Sequence, residues 1–346
     1  MKLETFDYHL PENLIAQAPC DQRDHSRMMV VDRRQASLRN AQFSLFPTFL
    51  KKGDVLVIND SKVIPARLFG RKETGATIEI LLLSRVSVET PLCQTWEVLL
   101  KPAKRVSVGT RILFAEGCEA TIIERLSAKK WQLAFVMAIP FSRYLERYGK
   151  APLPPYIKRS RNNTASLNDL DRYQTIYARQ PGSVAAPTAG LHFSEKVMVA
   201  LRKREVELAP VTLHVGYGTF VPIDAEQIED HVMEAEFLQV SEASAEKINR
   251  GDRVIAVGTT ATRAIETLAD AKGRVQPGSS WTRLFIYPGY PFKRVDALLT
   301  NFHLPLSSLF LLVCAFAGTE LMQRAYSQAV DDRYRFYSYG DCMLIL

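Results

Sequence analysis

The stretch that decides the architecture reads Tyr173-Gln-Thr-Ile-Tyr-Ala-Arg-Gln-Pro-Gly-Ser-Val-Ala-Ala-Pro-Thr-Ala-Gly-Leu-His-Phe193. Two prolines and two glycines fall within residues 181–190, a spacing that excludes a regular helix or strand. The stretch is nevertheless too apolar for a solvated linker. It predicts a buried loop of small residues that approaches a ligand, with polar groups on Ser183, Thr188 and His192. A tight structural crossover explains the pattern equally well.

Three later stretches also place polar residues at the ends of apolar runs. They are Thr212-Leu-His-Val-Gly-Tyr-Gly-Thr-Phe220, Val254-Ile-Ala-Val-Gly-Thr-Thr-Ala-Thr-Arg263 and Thr300-Asn-Phe-His-Leu-Pro305. Because the carboxyl ends of parallel strands gather at one edge of a sheet, the four stretches together predict one pocket.

The turn Gly258-Thr259-Thr260 precedes a helical pattern and predicts an anion site. Backbone N–H groups and hydroxyls there lie at the positive end of the helix dipole, and Arg263 follows one turn later. A carboxylate or phosphate would suit this position. A plain capped helix with an exposed arginine is the alternative.

The composition is that of a globular protein of one large or two modest domains, with 346 residues, 47% hydrophobic and 23% charged. The formal charge of +7 favours an anionic partner. Five scattered cysteines without a CxxC pair favour a reduced, cytoplasmic protein. The first residues carry no apolar signal segment. The longest apolar run, residues 309–317, is too short for a bilayer, which needs about 20 residues, so no membrane association is expected.

The apolar pattern changes period twice along the chain. Asp54-Val-Leu-Val-Ile-Asn-Asp60 predicts a buried strand ending in Asn59 and Asp60, although a solvated turn would also fit those two residues. Short β-forming runs then recur at residues 66–72, 76–83, 95–100, 110–114, 119–124 and 131–137. Beyond the opening stretch, strands are expected at residues 211–215, 254–257, 284–287, 334–337 and 342–346.

These patterns predict a three-layer α/β main domain with a mixed sheet and an inserted antiparallel β-barrel domain. Residues 1–62 and 151–346 would form the main domain and carry the active-site loops. Residues 63–150 would form the barrel.

Residues 141–161 are the most basic segment, with six basic residues and one acidic residue. Aromatic residues are interleaved, a mixture typical of single-stranded RNA recognition. The expected RNA-binding residues are Arg143, Arg147, Lys150, Lys158 and Arg159. A solvated amphipathic helix followed by a proline-stiffened linker explains the segment equally well.

Four of the six histidines, His192, His214, His231 and His303, lie beside these motifs. Their spacing matches no metal-binding pattern, so no metal site is expected. A lone histidine in an apolar loop is usually structural, but four near one pocket favour acid–base work for at least one.

Several stretches resemble the QueA family, the S-adenosylmethionine:tRNA ribosyltransferase-isomerases of queuosine biosynthesis, over nearly the whole chain. The motifs are Val63-Ile-Pro-Ala-Arg-Leu-Phe-Gly70, Leu153-Pro-Pro-Tyr-Ile157, Val184-Ala-Ala-Pro-Thr-Ala-Gly-Leu-His-Phe193, Thr212-Leu-His-Val-Gly216, Ala256-Val-Gly-Thr-Thr260, Thr300-Asn-Phe-His-Leu-Pro305 and Tyr334-Arg-Phe-Tyr-Ser-Tyr-Gly-Asp341.

The resemblance implies transfer and isomerisation of the ribosyl part of S-adenosylmethionine onto 7-aminomethyl-7-deazaguanine at the tRNA wobble position. Epoxyqueuosine-tRNA forms, and adenine and methionine are released. S-adenosylmethionine would be a consumed substrate, with no metal or other cofactor, and tRNA the partner of a monomer.

That chemistry needs a base beside the sulfonium and a proton donor for the departing adenine. The expected catalytic residues are His192, His214, His231 and Asp60. The expected substrate-binding residues are Ser183, Thr188, Phe193, Thr212, Gly216, Thr259, Thr260, Arg263, Asn301 and His303.

The chain departs from the family pattern at two positions. A second imidazole is usual in the family where this chain has Glu234, and a glutamate is usual where it has Leu306. Neither position is therefore expected to be catalytic. Two other function classes stay open on the residues alone: an RNA-binding module without turnover, and a histidine-based metallohydrolase.

Overall fold

The structure is a computed structural model that describes residues 1–159, 169–220 and 223–346. The strands are β1 (Arg27–Asp32), β2 (Ser37–Gln42), β3 (Asp54–Asn59), β4 (Ser61–Val63), β5 (Arg67–Lys72), β6 (Thr77–Thr90), β7 (Cys93–Lys101), β8 (Arg111–Leu113), β9 (Glu119–Arg125), β10 (Lys130–Val136), β11 (Gln180–Ser183), β12 (Glu207–Leu213), β13 (Glu236–Val240), β14 (Arg253–Val257), β15 (Gly278–Thr282), β16 (Ala297–Asn301) and β17 (Cys342–Ile345). The α-helices are α1 (Phe141–Tyr148), α2 (Asp169–Arg172), α3 (Glu195–Lys203), α4 (Glu242–Arg250), α5 (Gly258–Leu268), α6 (Ser308–Ala317) and α7 (Thr319–Asp331). Short 3-10 helices include Arg23–His25, Phe43–Phe49 and Thr188–His192.

A mixed sheet forms the main body, with nine strands in the described part of the chain. Their order is β15-β13-β12-β3-β14-β16-β17-β1-β2. Strand β3 lies parallel to both β12 and β14 and is buried at every residue. Such a strand must be apolar on both faces, which is why Asp54-Val-Leu-Val-Ile-Asn59 reads as a continuous apolar run rather than an alternating one.

Helices cover the sheet on both faces. Helices α4, α5, α6 and α7 contribute to one apolar cluster against the sheet. Helix α3 and the 3-10 helix Phe43–Phe49 contribute to a second cluster on the other face. Ser194 caps α3 by accepting a hydrogen bond from the Val197 N–H at 3.3 Å, as expected for a serine at a helix start. The three-layer α/β prediction is confirmed.

The barrel is closed, with strand order β10-β7-β6-β5-β8-β9 and antiparallel pairing throughout. Alternate residues of each strand point inward, as in β6, where Ile78, Ile80 and Leu82 are fully buried. Its strands run from Arg67 to Val136, which confirms the predicted antiparallel barrel. The division at residues 62 and 151 into separate domains stays a prediction.

Two expected strands are wrong. Residues 284–287 are not a strand, and the edge of the sheet is formed instead by β15, which pairs with β13. Residues 334–337 form no strand either; Phe336 makes only an isolated bridge with Ile15. No helix in the described part of the chain is both long enough and apolar enough to cross a membrane.

Candidate active site

A pocket with about 540 Å³ of empty space, part of which is open to solvent, lies at the carboxyl edge of the sheet beside the ends of β14 and β16; it is called the edge pocket. Its lining residues are Tyr156, Ala186, Pro187, Thr188, Ala189, Val215, Gly258, Thr259, Thr260, Thr300, Asn301, Phe302, His303, Leu309, Tyr337 and Ser338. All four sequence stretches singled out above contribute residues to this lining. The small side chains at 186 and 189 leave space between the loop and the start of α5.

The first turn of α5 faces the edge pocket. Gly258 has φ +86°, a left-handed conformation that favours glycine, and no side chain caps the helix start. Thr259 and Thr260 are buried, and the Thr260 Oγ1 has no hydrogen-bond partner among the described residues. This helix start therefore presents uncapped N–H groups and a spare hydroxyl to a ligand, as an anion site requires.

Asn301 is held in one orientation at the pocket wall. Its Nδ2 is directed at the carbonyl oxygens of Tyr337 (3.2 Å) and Asp341 (3.3 Å), and at the His192 Nε2 (3.1 Å). Because carbonyl oxygens only accept, the amide nitrogen must face them. The Asn301 Oδ1 is then left buried without a partner in the described structure, which suits it to accept a hydrogen bond from a ligand.

His192 lies behind Asn301 rather than in the pocket lining. Since its Nε2 accepts from Asn301, its Nδ1 carries the proton and donates to the Ser26 Oγ at 2.7 Å. Burial, reinforced by Arg335 and Arg23, lowers the pKa of His192 to about 3. A neutral imidazole with both nitrogens engaged orients Asn301; whether it also moves a proton stays a prediction.

His303 is the histidine among the lining residues. Its Nε2 lies 2.9 Å from the Thr300 hydroxyl, and its backbone N–H donates to the Tyr326 hydroxyl at 3.1 Å. Burial lowers the pKa of His303 to about 3, so the ring is neutral at pH 7. It can still donate or accept one hydrogen bond toward a bound molecule.

A second polar cluster surrounds Asp60 and His214, outside the pocket lining. The Thr212 hydroxyl donates to Asp60 at 2.7 Å. The His214 ring packs against the backbone of Gly182, where a Cβ would come within 2.8 Å of the ring. Burial lowers the pKa of His214, opposed by the nearby Asp60 carboxylate, and its Nδ1 has no partner among the described residues. The Asp60 carboxylate is thus near enough to act on the imidazole electrostatically, but none of the described hydrogen bonds joins the two groups.

Ser183 connects the two polar regions. Its hydroxyl donates to the Ser61 Oγ at 2.8 Å and accepts from the Val215 N–H at 2.9 Å. Val215 lines the edge pocket, whereas the neighbouring His214 belongs to the second cluster. The edge pocket and the second polar cluster are therefore connected through the consecutive residues His214 and Val215.

Arg263 is buried beneath the first turn of α5 and contacts Glu236, with both side chains about 6% exposed. Its Nε donates to the Leu284 carbonyl at 3.0 Å, and Glu236 also accepts from the Gly216 N–H at 2.9 Å. Arg263 and Gly216 are not in the pocket lining, and their substrate-binding roles stay predictions.

Two other predicted residues lie away from the edge pocket. Phe193 is fully buried in the core, where its ring packs edge-to-face against both Phe43 and Phe46. His231 is partly buried with its ring edge against Phe285, and burial lowers its pKa. Thr188, Thr259, Thr260, Asn301 and His303 are the predicted residues that the structure brings together in one lining.

The predicted tRNA-binding residues lie along α1 and the linker after it. Arg143 and Lys150 are exposed, and Arg147 pairs with Glu116 at 2.5 Å. Lys158 pairs with Glu12 at 2.6 Å, and Arg159 with Asp169 at 2.9 Å. These positions stay predictions. Arg161 of the same segment lies outside the described residues.

The aromatic residues of that segment have other surroundings than the sequence interpretation assumed. Phe141 and Tyr144 are buried in the apolar cluster of the barrel, so the amphipathic-helix alternative describes α1. Tyr156 reaches the edge pocket, where its hydroxyl lies 2.5 Å from the Ser338 Oγ and its ring centroid 3.9 Å from that of Tyr337. Sequence reasoning missed Tyr156, Tyr337 and Ser338 as pocket residues, although both motifs that contain them had been singled out.

Comparison with known proteins places the chain among enzymes of one kind. The profile of a family described as "Queuosine biosynthesis protein" matches residues 3–345. An S-adenosylmethionine:tRNA ribosyltransferase-isomerase of Syntrophus aciditrophicus is 61% identical, with 100% of each chain covered. An enzyme of the same name from Caldanaerobacter subterraneus subsp. tengcongensis is 48% identical, also with 100% of each chain covered. The crystal structure of S-adenosylmethionine tRNA ribosyltransferase from Thermotoga maritima superposes with a TM-score of 0.55 at 36% identity, covering 99% of this chain and 100% of the other.

Proposed function

This chain belongs to the queuosine biosynthesis protein family, and from that premise we propose that the edge pocket is where S-adenosylmethionine binds and reacts. The chain is an S-adenosylmethionine:tRNA ribosyltransferase-isomerase. It transfers and isomerises the ribosyl moiety onto 7-aminomethyl-7-deazaguanine at the tRNA wobble position, giving epoxyqueuosine-tRNA and releasing adenine and methionine. S-adenosylmethionine and tRNA are its substrates.

One observation carries the assignment of the pocket: two of its lining residues have buried polar atoms without partners. The Thr260 Oγ1 and the Asn301 Oδ1 are such atoms among the described residues. Buried polar groups are almost always hydrogen-bonded, so two unpartnered atoms in one pocket point to a ligand that completes them. The donor's carboxylate suits the start of α5, and its hydroxyl or amino groups suit the Asn301 oxygen.

The aromatic part of the lining suits the positive sulfur of the donor. Tyr156, Phe302 and Tyr337 all line the pocket. A sulfonium is attracted to the face of an aromatic ring, and a pocket closed by such rings also excludes water. The sulfonium acidifies its neighbouring carbon, and methionine departs with the S–C bonding electrons. These rings hold the group that makes both steps possible.

The proton transfers need one base and one acid. We retain His192, His214, His231 and Asp60 as candidates and add His303, because it lines the pocket. Replacement of the true base or acid by alanine should lower kcat by about 10²–10⁴-fold while the donor still binds. If His192, His214 and His231 variants all keep near-normal kcat, the base and the acid must be Asp60 and His303, and both Asp60→Ala and His303→Ala should lower kcat.

We also propose that the tRNA contacts the exposed basic face of α1, and that catalysis needs no metal or separate cofactor. The triple variant Arg143→Ala, Arg147→Ala, Lys150→Ala should bind tRNA more weakly and with a flatter salt dependence. Elemental analysis of the purified protein should find no stoichiometric zinc or iron. A monomer in the cytoplasm, where tRNA is modified, completes the proposal.

The decisive experiment is adenine release, measured by chromatography, from S-adenosylmethionine mixed with tRNA that carries the 7-aminomethyl-7-deazaguanine base. Release should require the enzyme and both substrates. Asn301→Ala should reduce kcat/KM by at least about tenfold, because an oriented acceptor is lost. The matched control is Asn40→Ala, an exposed amide outside the pocket lining that accepts a hydrogen bond from the Tyr334 hydroxyl at 2.6 Å, and it should keep wild-type turnover. Equal activity of the two variants would remove Asn301 from the site.

A further inference from the structure

A second cavity, with about 290 Å³ of empty space that is partly open to solvent, lies next to the edge pocket and shares Ser338 with its lining. Three arginines, Arg23, Arg172 and Arg335, line this arginine cavity, together with His192 and Tyr339. They come from three separate parts of the chain: the 3-10 helix Arg23–His25, the end of α2 and the loop before β17. The function described above uses none of the three.

The positive charges in this cavity are close enough to act on each other. Burial and then Arg172 lower the pKa of Arg23, and Arg335 and Arg23 contribute to the lowered pKa of His192. Two carboxylates oppose the three guanidinium groups: Asp341 lies 3.5 Å from Arg335, and Asp171 acts on Arg23. Asp169 also acts on Tyr339, and Asp21 on Cys20. No carboxylate is among the described residues that line the cavity, so an anion there would meet guanidinium groups.

The arginines have part of their hydrogen-bonding capacity in use. Arg23 donates to the carbonyls of Leu191 (3.2 Å) and Asp171 (2.8 Å), and Arg335 to the carbonyl of Ala18 (3.3 Å) and the Cys20 Sγ (2.6 Å). Arg172 donates to the carbonyls of Asp21 and Cys20. These bonds hold the loop around Cys20 against the body of the protein, and a structural role would account for them.

A structural role does not account for two further donors. The Arg172 Nε is buried and has no partner among the described residues. The hydroxyl of Tyr339, a residue only 3% exposed, also lacks one. Both residues line the cavity, and the charge of Arg172 is one of those that act on Tyr339. Two unused donors beside converging guanidinium groups form the arrangement that proteins use for the oxygens of a phosphate.

We propose that the arginine cavity binds one backbone phosphate of the tRNA substrate, next to the nucleotide that is modified. This assignment rests on the proposed function. The phosphates that flank a reacting nucleotide must lie beside the pocket that holds the reaction. Ser338 lines both this cavity and the edge pocket, and His192 of this cavity bonds Asn301 of the edge pocket at 3.1 Å. A phosphate bound there would position the wobble nucleotide against the donor.

The test uses Tyr339→Phe and Arg172→Gln in the full chain, with binding of precursor tRNA followed by fluorescence anisotropy over a range of salt concentrations. Tyr339→Phe removes only an unpartnered hydroxyl, so it should keep the wild-type Tm yet raise the Kd for tRNA about fivefold. Arg172→Gln should raise that Kd about tenfold and reduce the magnitude of the salt slope by about 0.7. The matched control is Arg250→Gln, which removes the same charge from an exposed arginine on α4 paired with Glu207, and it should bind tRNA like the wild type.

Unchanged tRNA affinity in Tyr339→Phe and Arg172→Gln would overturn the proposal, and a loss of affinity that follows only a lowered Tm would make the arginines structural.

Inorganic phosphate is the second probe. If it raises the Tm of the wild type but not of Arg172→Gln, while tRNA affinity stays the same in both, the cavity takes a free phosphate and the RNA assignment fails. A raised KM for S-adenosylmethionine with unchanged tRNA affinity would assign the cavity to the donor instead. Adenine release by the wild type is measured separately, and its absence would refute the proposed function without affecting the binding result.

Discussion

The inside of the barrel and the carboxyl edge of the sheet are both buried, but they are built from opposite kinds of residue. In the described part of the barrel strands, Thr95 is the one polar side chain that is buried; the others, such as Leu82 and Leu133, are apolar. The sheet edge buries many polar residues, namely Asn59, Asp60, Ser61, Ser183, His192, Thr212, Thr259, Thr260, Thr300, Asn301 and His303.

Burial of polar groups weakens a fold unless each finds a partner, whereas burial of apolar groups stabilises it. The barrel thus contributes stability, and the sheet edge gives some of it up. The Thr260 Oγ1 and the Asn301 Oδ1 have no partner among the described residues. A ligand that bonds to them, as proposed above, would offset the stability lost by burying them. The contrast separates the region that holds the molecule together from the region where we propose that the reaction takes place.

The largest expected effect on stability is in the barrel. Phe135 is 1% exposed and packs against Phe114 and Phe141, so Phe135→Ala should lower the free energy of unfolding by about 3–5 kcal/mol in urea titrations. The control is Phe69→Ala, which removes the same side chain from the outside of the barrel, where it is 47% exposed. Equal losses in the two variants would contradict the view of the barrel as a packed core.

A comparable loss is expected at the sheet edge from breaking one ion pair. Arg263→Ala removes the cation that the buried Glu236 contacts, and should lower the free energy of unfolding by about 3 kcal/mol or more. Lys52→Ala breaks an exposed pair with Glu205 and should leave stability unchanged. If Arg263→Ala instead keeps its stability and only raises the KM for S-adenosylmethionine, the guanidinium serves the donor directly.

Acid should weaken the sheet edge before the barrel. Burial lowers the pKa of His192 and His303 to about 3, so the unfolded chain takes up protons near pH 6.5 that the folded protein does not. Their effect on stability is nil well above pH 6.5 and grows as the pH falls toward 3. Between pH 7.5 and 5.5 each histidine should reduce the free energy of unfolding by about 1.4 kcal/mol. His303→Gln should remove about half of the combined drop that the two histidines cause. An unchanged drop would mean that the folded protein already accepts a proton on His303.

The smallest effect is also the most selective. Thr260→Val replaces an unpartnered buried hydroxyl by a methyl group, so it should leave stability unchanged or raise it by up to about 1 kcal/mol, while raising the KM for S-adenosylmethionine. Thr262→Val is the control, because that hydroxyl donates to the Gly258 carbonyl at 3.1 Å. The control variant should lose stability and keep its KM. The opposite result would place the ligand elsewhere.

The sequence pattern alone was sufficient to predict the barrel and the buried strands at the centre of the sheet. Period-two alternation and continuous apolar runs each follow directly from burial on one face or on both. The edge strand β15 was not predictable in this way, because Gly278-Ser-Ser-Trp-Thr282 pairs on one side only and is largely exposed. The apolar run at residues 284–287 was taken for that strand, but its side chains pack against the core without joining the sheet.

Five of the predicted substrate-binding residues share the edge pocket because they follow strands or begin a helix, and such positions are visible in a sequence. Other contacts depend on packing between distant segments. That His192 backs Asn301 instead of facing the pocket follows from hydrogen bonds across more than a hundred residues. Tyr156 reaches the pocket from the linker after the barrel, and no local pattern indicates where such a linker returns.

Strand β17 lies between β16 and β1, so segments from opposite ends of the chain pair with each other in the half of the sheet that ends at β2. The barrel, by contrast, pairs only strands within residues 67–136. Folding is slow where contacting residues are far apart in sequence, since a large loop must close before any contact is gained. The barrel should therefore form early. Asn301 ends β16, and Tyr337 lies in the loop before β17. The wall of the edge pocket that they form should be among the last parts of the molecule to assemble.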